Sequence, residues 1–305
     1  MPTRLLRLSL PHPRSTPAAL LVAAAMVVGM LAVDVSGAAA RSLPARQTLA
    51  DAGNAASGPV IRTDRGPVRG LVKNGVSEFL GMPYAAPPVG QLRWQPPQLH
   101  ARWTQTLDAT SYGPTCPQIT TLGVFATPSV SEDCLYLNVF TPNPRRARGQ
   151  GLPVFVWIHG GGNVDGESND YDGSKLATGG RYGGSNTVVV TINYRLGLLG
   201  FLANTALDSE GHLFGNYGIM DQQAALRWVQ RNIAAFGGDP NRVTMGGQSA
   251  GAQDTDLNVV SPLAAGLFNR GISESGFTGE DPSLASALSK GDAFATAAGC
   301  TGTDA

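Results

Sequence analysis

Two apolar, largely β-branched runs, Pro153-Val-Phe-Val-Trp-Ile158 and Thr187-Val-Val-Val-Thr-Ile192, constrain this chain more than any other feature. Neither alternates apolar with polar residues, so a strand built from either has no face for water and must be covered on both sides. Met220 to Phe236 offers the cover: Ala224, Leu226, Trp228, Val229, Ile233 and Phe236 recur at helical spacing, with Gly237-Gly238 as a stop and Asp239-Pro240 beyond it. Val60–Thr63 and Pro67–Leu71 read as a hairpin about Asp64-Arg65-Gly66, and Leu135–Phe140 as an alternating strand. The Pro-rich stretch from Gly81 to Pro97 reads as an extended, irregular surface segment. Val243–Gly246 is a short strand with a helix after Ser249, and a last helix runs from a capping Asp281, with Pro282 at its first position, to Ala298. Alternation of strands and helices predicts an α/β fold with a largely parallel central sheet flanked by helices.

Ahead of this lies a segment with its own logic. Arg4, Arg7 and Arg14 precede a 16-residue apolar run, Ala18–Val33, which leads to Ser-Gly-Ala38-Ala39-Ala40. That order is a secretory signal, expected over residues 1–40, and the run is shorter than the roughly 18–20 residues of a membrane-crossing helix. No Cys follows it to carry a lipid, so no stable membrane anchor is expected. Residues 41–58 read as a flexible leader and 59–305 as the folded domain. Without the signal the chain holds 19 basic and 21 acidic residues, with no basic run to engage a polyanion, so nucleic acid is not an expected partner. Export permits disulfides. Cys116 and Cys134 bracket a loop whose closure would stabilise the fold by about 3 kcal/mol in the chain-entropy model. Cys300 is left over, which allows a reactive thiol, an intermolecular bond or a partner outside the chain.

The chemistry concentrates at Gly247-Gln248-Ser249-Ala250-Gly251. G-x-S-x-G lets a strand turn sharply into a helix and hold the serine exposed, but alone it is a weak signal, with on the order of 0.3 chance occurrences in a chain of this composition. Here a strand leads in and a helix leads out, as the motif requires. About 90 residues upstream a buried strand ends in His159-Gly160-Gly161-Gly162. Gly161 and Gly162 there, with Ala250 after the serine, could aim three backbone N–H groups at an oxyanion. A plain flexible turn or a phosphate loop is the competing reading. Dinucleotide binding is disfavoured because residue 165, where G-x-G-x-x-G needs Gly, is Asp.

With these segments in place, the chain resembles the type-B carboxylesterase/lipase family of α/β-hydrolases, which includes carboxylesterases and cholinesterases. The resemblance is carried in order by Phe79–Trp94, Glu132–Val139, His159–Gly162, Asn193-Tyr-Arg-Leu-Gly197, Asp221-Gln-Gln223, Phe236–Pro240, Gly247–Gly251, Ser261-Pro262 and Gly266-Leu-Phe268, and spans roughly Pro59 to Cys300. It implies the α/β-hydrolase fold and a first disulfide between Cys116 and Cys134. It also implies hydrolysis of small-molecule carboxylic esters with no cofactor or metal: Ser249 attacks, a His moves the proton and an acid orients the His. Ser275 resembles a serine close to the family's triad. Members that keep the fold for adhesion supply the alternative, a non-catalytic binding module; these tend to lose the nucleophile, which this chain keeps.

In α/β-hydrolases the order is Ser, then acid, then His. No His follows Ser249; the four His are His12, His100, His159 and His212. Seven acids follow it, from Asp254 to Asp304, but the resemblance puts the triad acid beyond Ala305, and it makes Cys300 the first half of a second disulfide. The expectation is therefore a C-terminally truncated piece, inactive as it stands. Gln248 replaces the Glu that cholinesterases place beside the nucleophile, and residues 117–133 hold no Trp for a quaternary ammonium, only Phe125. Asn163 stands where bulky aromatics are frequent in relatives. Together these imply neutral, short-chain esters.

Overall fold

The computed structural model describes residues 58–120, 126–142, 151–180, 183–276 and 282–300. The expected signal, all but Gly58 of the leader, Phe125 and Asp281 lie outside the described residues.

The hairpin forms as expected, β1 (Val60–Arg62) pairing antiparallel with β2 (Pro67–Arg69). The short strand β5 (Leu107–Asp108) joins β2 to complete a three-stranded sheet. The main sheet has seven strands: β3 (Leu71–Lys73), β4 (Val76–Pro83), β6 (Tyr136–Thr141), β7 (Leu152–Ile158), β8 (Val188–Ile192), β9 (Gly238–Gln248) and β10 (Arg270–Glu274), in the order β10-β9-β7-β8-β6-β4-β3. β10, β9, β7 and β8 run parallel, while β8–β6, β6–β4 and β4–β3 are antiparallel pairs. The sheet is therefore mixed, and its parallel half is the part the two apolar runs announced.

All five residues of β8 are buried. β7 departs from the expectation of two covered faces: Val154, Val156 and Ile158 are buried, but Phe155 and Trp157 on the other face are half-covered, against each other and Tyr171 at ring separations of 6.0 and 5.4 Å. β6 departs in the opposite sense, since five of its six residues are buried and its polar Asn138 and Thr141 are enclosed with hydrogen bonds. The Pro-rich segment is not all surface either; Met82, Pro83, Tyr84 and Ala85 are buried, and the Tyr84 hydroxyl donates to the Asn193 carbonyl at 2.7 Å.

Between β8 and β9 the chain forms three helices, α2 (Gly197–Phe201), α3 (Thr205–Ser209) and α4 (Tyr217–Asn232), after the short α1 (Ser174–Ala177) between β7 and β8. α4 starts a turn earlier than expected and gives way to a 3₁₀ turn over Ile233–Phe236, where Gly237 ends it at φ 89°. Trp228, Val229, Ile233 and Phe236 pack on one face of the sheet with Val154, Val156, Val190 and Met245. α5 (Ala250–Val260) follows β9, and α6 (Leu284–Ala297) begins two residues later than Pro282 because Ser283 caps it, its hydroxyl accepting from the Ser286 N–H at 3.3 Å. Cys116 and Cys134 are bonded and buried, and Cys300 is free and exposed. Among the described residues no helix is long and apolar enough to cross a membrane.

Candidate active site

β7 and β9 are neighbours with Ile158 opposite Gly247, and β10 lies on the far edge of β9 with Glu274 opposite Gln248. His159–Gly162 and Ser249 therefore leave the sheet at adjacent carboxyl-terminal strand ends, where open α/β sheets hold their ligands.

Ser249 sits between β9 and α5 at φ 56°, ψ −122°, well outside the regions open to an ordinary L residue. Such a conformation costs of order 1–3 kcal/mol and persists only where neighbours fix it. Here the Ser249 N–H donates to the Glu274 carbonyl at 2.9 Å, and its own carbonyl accepts from Ala252 and Gln253 at 3.0 and 3.1 Å. The flanking glycines are needed for approach and not for backbone freedom. A Cβ on Gly251 would lie 2.2 Å from the Ile158 carbonyl oxygen, and one on Gly247 would lie 2.3 Å from the Gly251 carbonyl oxygen. Ser249 is half-buried, and the N–H groups of Ala250 and Gly251, the first two of α5, have no carbonyl behind them in the helix to bond.

The glycine run abuts this elbow. A Cβ on Gly160 would come within 3.1 Å of the Ser249 Cβ. Gly161 and Gly162 follow at φ 113° and 61°, and the Gly161 carbonyl accepts from Val164 and Asp165 at 3.0 and 2.9 Å, closing a tight turn. The structure thus brings Ser249, Ala250, Gly161 and Gly162 to one corner of the sheet. Ser275, at φ 54°, follows the residue whose carbonyl holds the Ser249 N–H.

Two devices hold the glycine loop that the sequence did not reveal. Gln118, two residues past Cys116, accepts from the Gly166 N–H at 2.8 Å and donates to the Gly166 and Cys116 carbonyls at 3.0 and 3.2 Å, so the disulfide loop braces the far end of the turn. Asn163, at φ 58°, donates to Asp254 Oδ1 at 3.0 Å, and its own Oδ1 lies 3.0 Å from the Tyr194 hydroxyl, which is 2.8 Å from the His159 carbonyl. Asp254 is buried on α5 and also accepts from Gln222 at 2.6 Å. Burial first, and the Asp254 carboxylate second, hold the Tyr194 phenol well above its ordinary pKa, so the hydroxyl keeps its proton. An invisible contact across 91 residues joins Asn163 to Asp254, and the only local signal was an acid among small residues one turn into the helix.

His159 is not positioned to serve Ser249 as a base. Its ring is buried and stacked on Tyr194 at 4.5 Å, Nδ1 lies 2.8 Å from the Gly160 carbonyl, and burial pulls its pKa down to about 4. A carbonyl only accepts, so Nδ1 carries the hydrogen of the neutral ring. His100 and His212 occupy loops, the latter within 2.7 Å of Glu210. A cavity of about 510 Å³ opens beside the loop, lined by Asn163, Phe201, Phe214, Ile219, Asp254 and Leu257 among others.

Comparison with known proteins agrees with this geometry. The chain is 45% identical over 241 residues to the medium-chain fatty acyl-CoA hydrolase precursor of Anas platyrhynchos, covering 73% of this chain and 42% of that protein. It is 46% identical over 222 residues to the para-nitrobenzyl esterase of Bacillus subtilis, covering 71% and 43%. Among solved structures, a thermophilic PNB esterase superposes with a TM-score of 0.72 at 43% identity over 80% of this chain and 50% of that one. A Geobacillus stearothermophilus carboxylesterase superposes with a TM-score of 0.69 at 40% identity, again over 80% of this chain. The chain spans about two fifths of the length of those curated relatives. The family model described as "Carboxylesterase family" matches residues 57–305, which with the elbow, the glycine turn and the α/β-hydrolase sheet establishes that this chain belongs to the carboxylesterase family.

Proposed function

We propose that this chain carries the nucleophile and oxyanion-binding half of a secreted serine carboxylic ester hydrolase. The observation that carries the reading is Ser249 held in a strained, half-exposed elbow against a glycine turn at the neighbouring strand end. Ser249 Oγ bonds to the ester carbonyl carbon while its proton passes to a His. The oxygen that becomes negative is held by the N–H groups of Gly161, Gly162 and Ala250. Collapse breaks the bond to the alkoxy group, which leaves with the proton from the His. Water then adds to the acyl-enzyme by the same route and frees the acid. The start of α5 adds favourable potential for the anion. No residue after Ser249 is a His, and His159 is enclosed, so residues 1–305 alone are expected not to turn over.

Neutral, short-chain esters are the proposed substrates. Gln248 beside the nucleophile is exposed and uncharged, so the site lacks an anion there to attract a cationic alcohol group. The test uses the protein expressed from its whole reading frame, with butyrylcholine and its uncharged carbon isostere 3,3-dimethylbutyl butyrate as matched substrates. The neutral ester is expected to be hydrolysed faster, and Ser249→Ala to lower kcat by about 10⁴-fold or more. Faster hydrolysis of the choline ester would refute the substrate assignment, and full activity in Ser249→Ala would refute the nucleophile.

A further inference from the structure

We infer that Asn163 and Asp254 form a positioning clamp that fixes the glycine turn against the start of α5 and so sets the spacing of the three oxyanion donors. The inference rests on the roles given above to Ser249, Gly161, Gly162 and Ala250. Those donors come from two separate segments: Gly161 and Gly162 follow β7, whereas Ala250 opens α5 after β9. Sheet pairing aligns the ends of the strands but leaves the residues beyond Ile158 and Gln248 free of the ladder. The Asn163 amide crosses that gap.

Each end of the bridge is anchored. Asn163 immediately follows Gly162, and its backbone carbonyl accepts from Gly197, while its side-chain oxygen meets the Tyr194 hydroxyl at 3.0 Å. The single hydrogen of the Tyr194 hydroxyl faces two acceptors, the Asn163 Oδ1 and, at 2.8 Å, the carbonyl of His159, the residue that begins the glycine turn, so the phenol sits between the two ends of the turn and bonds to one of them or shares its hydrogen between them. Asp254 lies four residues after Ala250 on the same helix, buried, with its second oxygen held by Gln222 of α4 at 2.6 Å. Asn258 closes the arrangement by donating to the Gln222 side-chain oxygen at 3.0 Å. A carboxylate held by two amides in a buried place has little freedom to move, and a displacement of about 1 Å in such groups can cost on the order of 10²-fold in rate.

The arrangement also answers a chemical question about Asn163. A left-handed backbone at φ 58° favours Asn among residues with a side chain. Where the residue is Asn, its amide can donate to a carboxylate and accept from a phenol at once, which a Phe or Trp side chain cannot do. Neither group touches the reacting atoms; both act through the backbone of the turn.

The test compares wild type, Asn163→Ala, Tyr194→Phe, Asp254→Asn and the Asn163→Ala/Asp254→Asn pair in the protein expressed from its whole reading frame, with Ser249→Ala as reference. Asn163→Ala is expected to lower kcat about 10- to 100-fold with KM changed less than about threefold, because the donors matter more to the oxyanion than to the ground-state ester. Tyr194→Phe keeps the ring on His159 and is expected to lower kcat by a smaller factor in the same pattern. The double variant is expected to lose no more than the worse single variant, as coupled groups do. If Ser249→Ala abolishes activity while Asn163→Ala and Tyr194→Phe keep wild-type kcat, or if the losses multiply, the clamp is wrong and the nucleophile stands. If activity survives Ser249→Ala, both fall.

Discussion

At Ser249 the chain accepts a local conformation that few residues adopt, and the acceptance is shared out among neighbours. Glu274 holds its N–H, the first turn of α5 takes its carbonyl, and Gly247 and Gly251 leave room for the helix to touch the end of β7. His159 shows how a reactive residue type can be put to structural use. The fold holds it neutral, with a pKa pulled by burial from 6.5 to about 4. In the unfolded chain the ring takes its proton near 6.5, so the unfolded state binds more protons between the two values. The stability owed to neutral His159 is thus complete above pH 6.5 and is lost as pH falls toward 4. From pH 7.5 to 5 the loss from this one group should be about 2 kcal/mol. Denaturant unfolding at the two pH values, in wild type and His159→Gln, checks it: the pH-dependent loss should shrink in the variant, and an equal loss in both would show that His159 is not the group responsible.

Elements are joined here by charge as well as by apolar packing. The end of β8 leads into Arg195, which meets Asp221 of α4 through two side-chain bonds of 2.8 Å and one backbone bond of 3.1 Å, both side chains nearly inaccessible. The guanidinium also lies 5.1 Å from the Tyr217 ring centre. Such a pair is costly to break from one side because the other charge stays buried. Asp221→Asn is expected to destabilise by roughly 3–5 kcal/mol, and Arg195→Met/Asp221→Leu by clearly less. Equal losses in the two variants would contradict the account. The same elements show what a sequence can and cannot disclose. β8 was legible because both its faces meet apolar groups, and α4 because one stripe does. β10 was missed since all five of its residues are exposed and bear no pattern, and β4 because its bulge between Phe79 and Met82 breaks the period. Ser249 and the glycine turn were legible as local spacing. Asn163 was legible only as a departure from relatives, and its bridging role, like those of Gln118 and Asp254, was not, since each is defined by a partner 48 to 91 residues away.

Across the molecule, the mixed sheet divides labour. Its antiparallel half, β6, β4 and β3, closes one side, while the parallel half brings the ends of β7, β9 and β10 together and leaves the Ser249 corner open. The disulfide between Cys116 and Cys134 ties in at this scale, since Gln118 carries its position to Gly166 at the far end of the glycine turn. Everything proposed about activity depends on Ser249 becoming a nucleophile once a His and an acid complete it. The most direct measurement is to treat the protein expressed from its whole reading frame with a fluorophosphonate and locate the adduct by peptide mass spectrometry. The expected result is one adduct per chain, on Ser249, that is absent from Ser249→Ala. An adduct on another residue, or no adduct in a folded protein, would contradict the account.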